Sequence, residues 1–239
     1  MNAHVAVSVI LPIRDERDNL APLFEELTLA LQGIPFEIVA VDDASTDGSQ
    51  DELRRLRQHT GNLRVVELGA TAGQSGALAV GFDRARGRVI ATMDADGQND
   101  PADLPAMLEI LDREGCDAVV GYRKSRHEGG WRVFQSRVAN WTRNRLTRDR
   151  IRDTGCSLRL IRRDTVLRLP RFDGMHRFLP TLVRLTGGTV LEKEVTHRAR
   201  RHGRSKYGMW NRVFVALRDA LGVRWLRRRR LHPVVARED

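Results

Sequence analysis

The sequence predicts an α/β fold built on a mostly parallel sheet with helices on both faces. Apolar, strand-like runs alternate with helix-like segments from the N-terminus to about residue 123, which is the pattern of strand–helix–strand units. The first run, residues 5–13, is continuously apolar and rich in β-branched residues, as expected of a strand buried on both faces. A chain of 239 residues is long enough for one such domain with a full core.

The elements are predicted in order from these patterns. Residues 19–31 carry large apolar side chains at the spacing of one helix face. They are Leu20, Leu23, Phe24, Leu27 and Leu31. Further strands are predicted over residues 36–43, 64–68, 88–96 and 117–123, and further helices over 47–59, 73–85 and 102–114. Asp100 and Pro101 precede the last helix as a cap and a first-turn residue.

Polar residues follow four of the predicted strands at the point where each strand ends. They stand at residues 12–16, 42–43, 94–96 and 121–123. The carboxyl ends of parallel strands meet at one edge of the sheet, where ligands bind in folds of this class. Helix capping explains one or two such ends, but all four together favour a ligand cleft.

Residues 90–101, IATMDADGQNDP, place several oxygen ligands at the end of the fourth strand. Side chains alternate along a strand, so Asp94 and Asp96 are expected to point the same way. Two convergent carboxylates with an amide at Gln98 suit a hard cation such as Mg²⁺ or Mn²⁺, whose remaining positions substrate phosphates can fill. Asp-x-Asp alone is common by chance, so its context decides.

Several other classes of protein are disfavoured by the motifs. The chain contains no G-x-G-x-x-G, no G-x-x-x-x-G-K-[ST], no G-x-S-x-G and no H-E-x-x-H sequence. Cys116 and Cys156 form neither a metal-binding spacing nor a disulfide framework, which favours a reducing compartment. We also expect no signal peptide and no transmembrane helix, because no apolar run approaches eighteen residues.

The formal net charge of +10 is unevenly distributed along the chain. Residues 1–122 carry a balance of −11, residues 123–152 one of +8, residues 153–196 one of +3 and residues 197–239 one of +10. An acidic half joined to basic segments predicts cation binding on one side and anionic partners on the other.

The C-terminal segment, residues 209–230, has the pattern of an amphipathic helix with a basic end. Its apolar residues recur every three or four positions, and four consecutive arginines, Arg227 to Arg230, follow. The apolar residues are Trp210, Phe214, Leu217, Leu221 and Trp225. This pattern predicts either a helix lying in an anionic membrane interface or one that docks its stripe on the preceding domain, and the two can combine.

Four motifs occur in order, each where a strand meets a helix: SVILPIRDERDNL, VDDASTDGS, GQSGAL and MDADGQNDP. Together they resemble glycosyltransferase family 2, and within it the dolichyl-phosphate mannosyltransferase type. DTGCSLRLIRRD (153–164) and HRARRHGRSKYG (197–208) are similar to downstream elements of that subgroup. The resemblance implies a Rossmann-like glycosyltransferase A domain over residues 1–208, followed by the basic helix and tail at 209–239.

The resemblance also implies the substrates and the roles of individual residues. It implies transfer, with inversion, from a nucleotide sugar such as GDP-mannose or a UDP-sugar to a polyprenyl phosphate, with Mg²⁺ or Mn²⁺ at Asp94, Asp96 and Gln98. The donor-binding positions are Pro12, Arg14, Glu16, Val41, Asp42, Asp43, Ala95, Arg200, Ser205 and Lys206. Arg14 stands where the family commonly has an aromatic residue. Arg123 and Arg137 match the arginines expected to hold the acceptor phosphate.

Two other functions are compatible with parts of the pattern. A phosphate acceptor is already anionic and needs no general base, whereas a hydroxyl acceptor needs one, for which Asp153 is the candidate. A non-catalytic nucleic-acid-binding protein would show exposed aromatics among its basic residues, but the chain has only two tyrosines, so we expect no nucleic-acid partner. We expect a protein on the cytoplasmic face of the membrane, held peripherally by anionic lipid or by an integral-membrane partner.

Overall fold

The computed structural model describes residues 5–123, 151–199 and 209–229, and in the last range the side chains from residue 218 onward. The strands in these ranges are β1 (Val7–Ile13), β2 (Phe36–Asp42), β3 (Leu63–Glu67), β4 (Val89–Thr92), β5 (Ala118–Tyr122), β6 (Arg159–Arg162) and β7 (Val190–Glu194). The α-helices are α1 (Arg17–Ala30), α2 (Ser49–His59), α3 (Gly73–Arg84), α4 (Leu104–Arg113), α5 (Arg163–Leu167), α6 (Leu179–Leu185) and α7 (Met209–Arg229). Short 3₁₀ helices span Pro101–Asp103 and Met175–Arg177.

The strands form one sheet in the order β3-β2-β1-β4-β6-β5-β7. Strand β6 is antiparallel to both of its neighbours, β4 and β5, and every other pair in this sheet is parallel. The chain builds outward from β1 through β2 to β3 and then returns to place β4 on the other side of β1. The carboxyl ends of β1 and β4 therefore flank the topological switch point, where open sheets of this type bind ligands.

Helices cover both faces of the sheet, as the sequence predicts. One apolar cluster contains side chains of α1, α2 and α4, and a second contains side chains of α3, α5, α6 and α7. The five residues predicted as the buried stripe of α1 are all at most 3% exposed. Each such fully buried leucine or phenylalanine stabilises the fold by about 1.5–3 kcal/mol.

The sequence prediction of β4 was too long. The predicted strand spans residues 88–96, but β4 spans Val89–Thr92, and Asp94 and Asp96 lie in the following loop. Met93 N still donates to Ile10 O at 3.3 Å, after which Asp96 Oδ1 accepts from Gln98 N and Gly97 takes a left-handed φ of 73°. Such local side-chain bonding competes with strand pairing, so strand alternation does not orient these two carboxylates.

Strands β6 and β7 were not predicted from the sequence. Strand β6 has the sequence RLIR and β7 the sequence VLEKE, so neither shows a long apolar run or a clear alternation. Strand β7 is the last strand of the sheet, where one side of the ladder is unpaired and charged residues are tolerated.

Helix α7 docks on the second cluster through small residues and leaves larger ones outside. Ala220 and Val223 are each 1% exposed, whereas Leu221 is 51% and Trp225 60% exposed. The side chains of Trp210, Phe214 and Leu217 lie outside the described residues. In this part of the helix, the predicted apolar stripe is therefore not the docked face. Among the described helices, we find none with the length and apolar character of a membrane span.

Candidate active site

The carboxyl end of β2 is fixed to the start of α3 by Asp43. Its Oδ1 accepts from Ala72 N at 2.5 Å and its Oδ2 from Gly73 N at 3.1 Å. A carboxylate at a helix N-terminus satisfies free backbone N–H groups and complements the helix dipole. Arg14 Nη1 donates to the Asp43 carbonyl at 3.0 Å and also bonds Thr71 Oγ1. These hydrogen bonds connect the loop after β1, the carboxyl end of β2 and the start of α3 into one unit.

Asp42 is fully buried beside this unit and carries an unsatisfied oxygen. Its Oδ2 accepts from Gln50 Nε2 at 2.8 Å and from Ser45 N at 3.2 Å. Its Oδ1 has no hydrogen-bond partner among the described residues. A buried acceptor without a donor is costly, and because Asp42 is 0% exposed, a bound molecule could reach Oδ1 only after neighbouring groups move.

The loops after β1 and β2 hold non-glycine residues in left-handed conformations. Asp15 has a φ of 50° and Ala44 one of 54°, each costing about 1–2 kcal/mol. The Asp15 carboxylate accepts from Thr46 N at 2.7 Å, and Glu16 N donates to Ser49 Oγ at 3.0 Å. Strain that the surrounding structure maintains in this way is concentrated at functional sites in proteins.

Asp94 and Asp96 form a pair of carboxylates in the loop after β4. Asp94 Oδ1 accepts from Gln74 Nε2 at 2.8 Å, and Asp96 is 6% exposed. Burial, followed by the negative charge of Asp96, raises the pKa of Asp94, and a hydrogen bond from Ser157 partly offsets this. A divalent cation would relieve the repulsion between the two charges.

These oxygens fit a metal ion that substrate also binds. Within the described ranges, no cluster of three His, Cys, Asp or Glu side chains has the arrangement of a metal site. Asp94 and Asp96, with the Gln98 amide nearby, supply hard oxygen ligands but not a full shell. Mg²⁺ and Mn²⁺ are commonly bound by one or two carboxylates, with phosphates and water completing the coordination.

Arg159 was missed by the sequence reading and lies close to this pair. It is 4% exposed on β6, and its Nη2 donates to Thr154 O at 3.1 Å. Burial lowers the pKa of Arg159, while its attraction to Asp94 and Asp153 acts in the opposite direction. The sequence feature that could have identified Arg159 is its position inside the apolar run SLRLI. Buried arginines are almost always paired with carboxylates.

Arg123, at the end of β5, makes a two-pronged ion pair with Asp153. Its Nε donates to Oδ2 at 2.6 Å and its Nη2 to Oδ1 at 3.1 Å. The Asp153 side chain is 5% exposed and also accepts from Gly155 N at 3.1 Å. Because both carboxylate oxygens are engaged, Asp153 is arranged to orient Arg123 rather than to remove a proton from an acceptor hydroxyl.

The predicted donor-binding residues differ in their accessibility. Pro12, Arg14 and Glu16 are partly exposed at the cleft. Val41 and Ala95 are 0% and 3% exposed and pack in the core clusters, and their contacts with the donor stay a prediction. Four predicted residues, Arg137, Arg200, Ser205 and Lys206, lie outside the described residues.

A partly buried histidine, His176, joins the start of α3 to the second 3₁₀ helix. Ser75 Oγ accepts from Gly174 N at 3.1 Å and from His176 N at 3.3 Å. Its own hydrogen can then be donated to His176 Nδ1, 2.7 Å away, which makes Nδ1 the unprotonated nitrogen. Burial, together with the charges of Arg177 and Arg159, lowers the pKa of His176 to about 3.

This histidine predicts a loss of stability in mild acid. The unfolded side chain takes up a proton near its ordinary pKa of 6.5, whereas the folded one does not until about 3. Unfolding therefore binds a proton between these values, and the free energy of unfolding falls by up to about 1.4 kcal/mol per pH unit below 6.5. We expect His176→Asn, which keeps an acceptor for Ser75, to flatten this dependence in urea unfolding between pH 6.5 and 5. His59→Asn, at the exposed end of α2, is the control, and an equal pH dependence in all three proteins would contradict the prediction.

The mostly parallel seven-stranded sheet with helices on both faces is the A-type fold of glycosyltransferases. Solved structures share this fold: glucosyl-3-phosphoglycerate synthase from Mycobacterium tuberculosis aligns with a TM-score of 0.69 at 18% identity, over 93% of this chain and 80% of that one. S. aureus TarS aligns with a TM-score of 0.64 at 20% identity, over 93% and 67%. The chain belongs to glycosyl transferase family 2, whose family model matches residues 8–169. The family resemblance of its motifs is confirmed.

Relatives of similar sequence are transferases named for polyprenyl phosphates. The dodecaprenyl-phosphate galacturonate synthase of Rhizobium johnstonii is 38% identical over 236 residues, 95% of this chain and 69% of that protein. The undecaprenyl-phosphate 4-deoxy-4-formamido-L-arabinose transferase of Edwardsiella ictaluri is 35% identical over 206 residues, 85% of this chain and 63% of that protein. The chain thus spans roughly two thirds of the length of these relatives.

Proposed function

We propose that the protein transfers a sugar from a nucleotide sugar to a polyprenyl phosphate, with inversion at the anomeric carbon. The observation that carries this proposal is the arrangement of charge at the switch point, where the Asp94–Asp96 pair lies near Arg159 and the Arg123–Asp153 ion pair. The nucleotide sugar and the polyprenyl phosphate are both anionic. The reaction therefore needs carboxylates that bind a metal ion and arginines that bind phosphate, at the same edge of the sheet. The names of the two relatives support the acceptor class.

The donor is proposed to bind across the carboxyl ends of β1, β2 and β4. Asp42 Oδ1 has no partner among the described residues, and we propose that it accepts an N–H of the nucleobase once local movement opens the cleft to it. Asp94, Asp96 and Gln98 would hold Mg²⁺ or Mn²⁺, which supplies positive charge to the diphosphate as it leaves. A related fold, the mycobacterial glucosyl-3-phosphoglycerate synthase, was solved with Mn²⁺ and UDP. Arg200, Ser205 and Lys206 are proposed to reach the same diphosphate.

The acceptor phosphate is proposed to bind at Arg123, with Arg137 as its second arginine. The attacking oxygen of a phosphate monoester is already anionic, so positioning replaces a general base in this reaction. Asp153 holds the Arg123 guanidinium through both carboxylate oxygens and thereby fixes the direction in which the phosphate is bound. A hydroxyl acceptor is less well supported, because its candidate base is occupied by this arginine.

The proposal can be tested by supplying radiolabelled nucleotide sugars to the protein with undecaprenyl phosphate. The panel includes GDP-mannose and UDP-sugars bearing glucose, galacturonate or a modified amino sugar. We expect one donor to deliver label to the lipid-extracted product, and unphosphorylated undecaprenol to accept none. Label transferred to the alcohol but not to the phosphate would overturn the assignment of the acceptor.

We also propose that α7 holds the protein on an anionic membrane surface, alone or beside an integral-membrane partner. Its outer side exposes Leu221 and Trp225, and three exposed arginines, Arg227 to Arg229, form its last turn. Trp225 also lines a groove of about 390 Å³ next to Arg171 and Arg218. Exposed aromatics beside clustered arginines are typical of interfacial helices.

Changing Arg227, Arg228 and Arg229 to Gln is expected to weaken sedimentation with anionic liposomes at least tenfold. Each arginine near such a surface contributes about 1 kcal/mol, and the difference should shrink as salt is raised. The matched control changes Arg54, Arg55 and Arg57 to Gln on α2, which packs against the opposite face of the sheet. Liposome binding that is equal in both triple variants would contradict an anchor at this end of α7. Trp225→Ala should weaken binding without changing Tm, since this side chain is 60% exposed.

A further inference from the structure

The chain that follows β7 lies directly against the loop that carries the carboxylate pair. His197 and Asn99 form an isolated antiparallel bridge. Arg198 N donates to Gln98 O at 2.8 Å, and Asn99 Nδ2 bonds Ser157 Oγ at 2.7 Å from the other side. The loop is therefore held between the segment at residues 196–199 and the start of β6.

The Arg198 side chain adds two contacts to this backbone pairing. Its Nη1 donates to Glu26 Oε2 of α1 at 2.7 Å, and its Nη2 lies 2.5 Å from Asp100 Oδ2. The other oxygen of Asp100 accepts from Ala102 N and caps the first 3₁₀ helix. These side chains are 16–32% exposed, so solvent screens this ion pair less than a surface pair. One guanidinium thus joins α1 to the end of the loop.

Arg198 contacts the loop that carries the proposed metal ligands. It bonds the backbone of Gln98, itself a proposed ligand, and the side chain of Asp100, four residues after Asp96. Because its guanidinium also bonds Glu26, this loop is tied to α1. A fixed contact of this kind would hold the ligands in one position when metal and diphosphate bind.

We propose that Arg198 is a positioning residue that holds the Asp96–Asp100 loop against α1. The proposal rests on the metal-dependent transfer proposed above. Arg198 acts through the loop and through Glu26 and has no assigned contact with donor or acceptor. Residues that orient metal ligands in this way commonly change metal affinity 10- to 100-fold when they are replaced.

A neighbouring ion pair supplies a matched control. Lys193 Nζ donates to Asp103 Oδ1 at 2.8 Å, and Thr196 N donates to Asp103 Oδ2 at 2.7 Å. This pair also ties the end of β7 to the first 3₁₀ helix, and both of its contacts are with Asp103, which follows the Asp96–Asp100 loop. Lys193→Met therefore removes a comparable ion pair from the same support and leaves the loop contacts in place.

The test measures Mn²⁺ binding by electron paramagnetic resonance in the presence of UDP, together with hydrogen exchange of peptides covering residues 94–103. We expect Arg198→Met to weaken Mn²⁺ binding about tenfold and to speed exchange in that loop, at an unchanged fold by circular dichroism. Lys193→Met should leave Mn²⁺ binding as in the wild type. Arg198→Lys, which cannot span Glu26 and Asp100 together, should fall between wild type and Met.

The outcomes separate this role from the proposed function. Wild-type Mn²⁺ affinity and loop exchange in Arg198→Met would overturn the positioning role while leaving the transfer reaction standing. Equal weakening in the Arg198 and Lys193 variants would also overturn it, since the effect would then be general loosening. Failure of the wild-type protein to bind Mn²⁺ both with UDP and with GDP would overturn the metal site, and this role of Arg198 with it.

Discussion

Replacing Asp94 or Asp96 with Asn is expected to lower kcat by about three orders of magnitude. An amide is a much weaker ligand for a hard cation than a carboxylate, and a lost charge contact worth about 4 kcal/mol corresponds to this factor at about 1.4 kcal/mol per tenfold. Removal of divalent metal with EDTA should have the same effect, with recovery on adding Mg²⁺ or Mn²⁺. The measurement is initial-rate transfer to undecaprenyl phosphate.

Thermal stability and a control variant show whether the lower kcat comes from the lost metal ligand or from a damaged fold. Burial and the charge of Asp96 raise the pKa of Asp94, so at neutral pH its ionised form costs folding free energy. We therefore expect Asp94→Asn to have a higher Tm than the wild type in EDTA, although it is the less active protein. Asp112→Asn, on the surface of α4, should leave kcat unchanged. Full activity of either site variant, or of the wild type in EDTA, would remove the metal from the mechanism.

Replacing Arg123 with Ala is expected to lower kcat/KM for the acceptor about 100-fold while leaving donor affinity unchanged. A charge-assisted hydrogen bond to phosphate contributes about 1.5–3 kcal/mol, and the variant also leaves the buried Asp153 carboxylate facing the incoming phosphate. Calorimetric titration with the nucleotide sugar measures the donor side separately. An equal loss of donor affinity would assign Arg123 to the other phosphate.

Two further variants separate the guanidinium from its partner. Arg123→Ala combined with Asp153→Asn should recover part of the acceptor affinity, because the unpaired buried charge is gone. Arg152→Ala is the matched control: Arg152 is exposed and stacks over Tyr122, with 4.9 Å between its guanidinium carbon and the ring centre. It should keep acceptor kinetics close to those of the wild type. A comparable loss of kcat/KM for the acceptor in Arg152→Ala would show that the effect of Arg123→Ala comes from surface charge in general.

The sequence was sufficient for the parts of the fold that rest on apolar periodicity. The burial of α1, the positions of the first five strands along the chain and the cap at Asp100 follow from local patterns that the structure contains. The end of β4 was not predictable in this way, because Asp94 and Asp96 bond the loop and α3 instead of continuing the ladder. Local alternation carries no information about such competing partners.

The contacts between residues of the site depend on the antiparallel strand β6, which the sequence patterns did not predict. Arg123 and Asp153 are thirty residues apart, and Arg159 meets Thr92 and Val120 only through the registers of β6 with β4 and β5. Arg198 reaches Glu26 across 172 positions. The motifs predicted several residues of the site. Which of these residues form ion pairs depends on the strand topology, and the spacing between motifs does not predict that topology.

The antiparallel course of β6 brings both ends of the connection between β5 and β6 to the same edge of the sheet. The chain leaves the sheet at the carboxyl end of β5 and re-enters at the amino end of β6. The Arg123–Asp153 ion pair joins these two ends. Because the ends are held together in this way, the entropic cost of closing the connection grows only slowly with its length. We therefore expect the sheet to tolerate changes in the length of this connection.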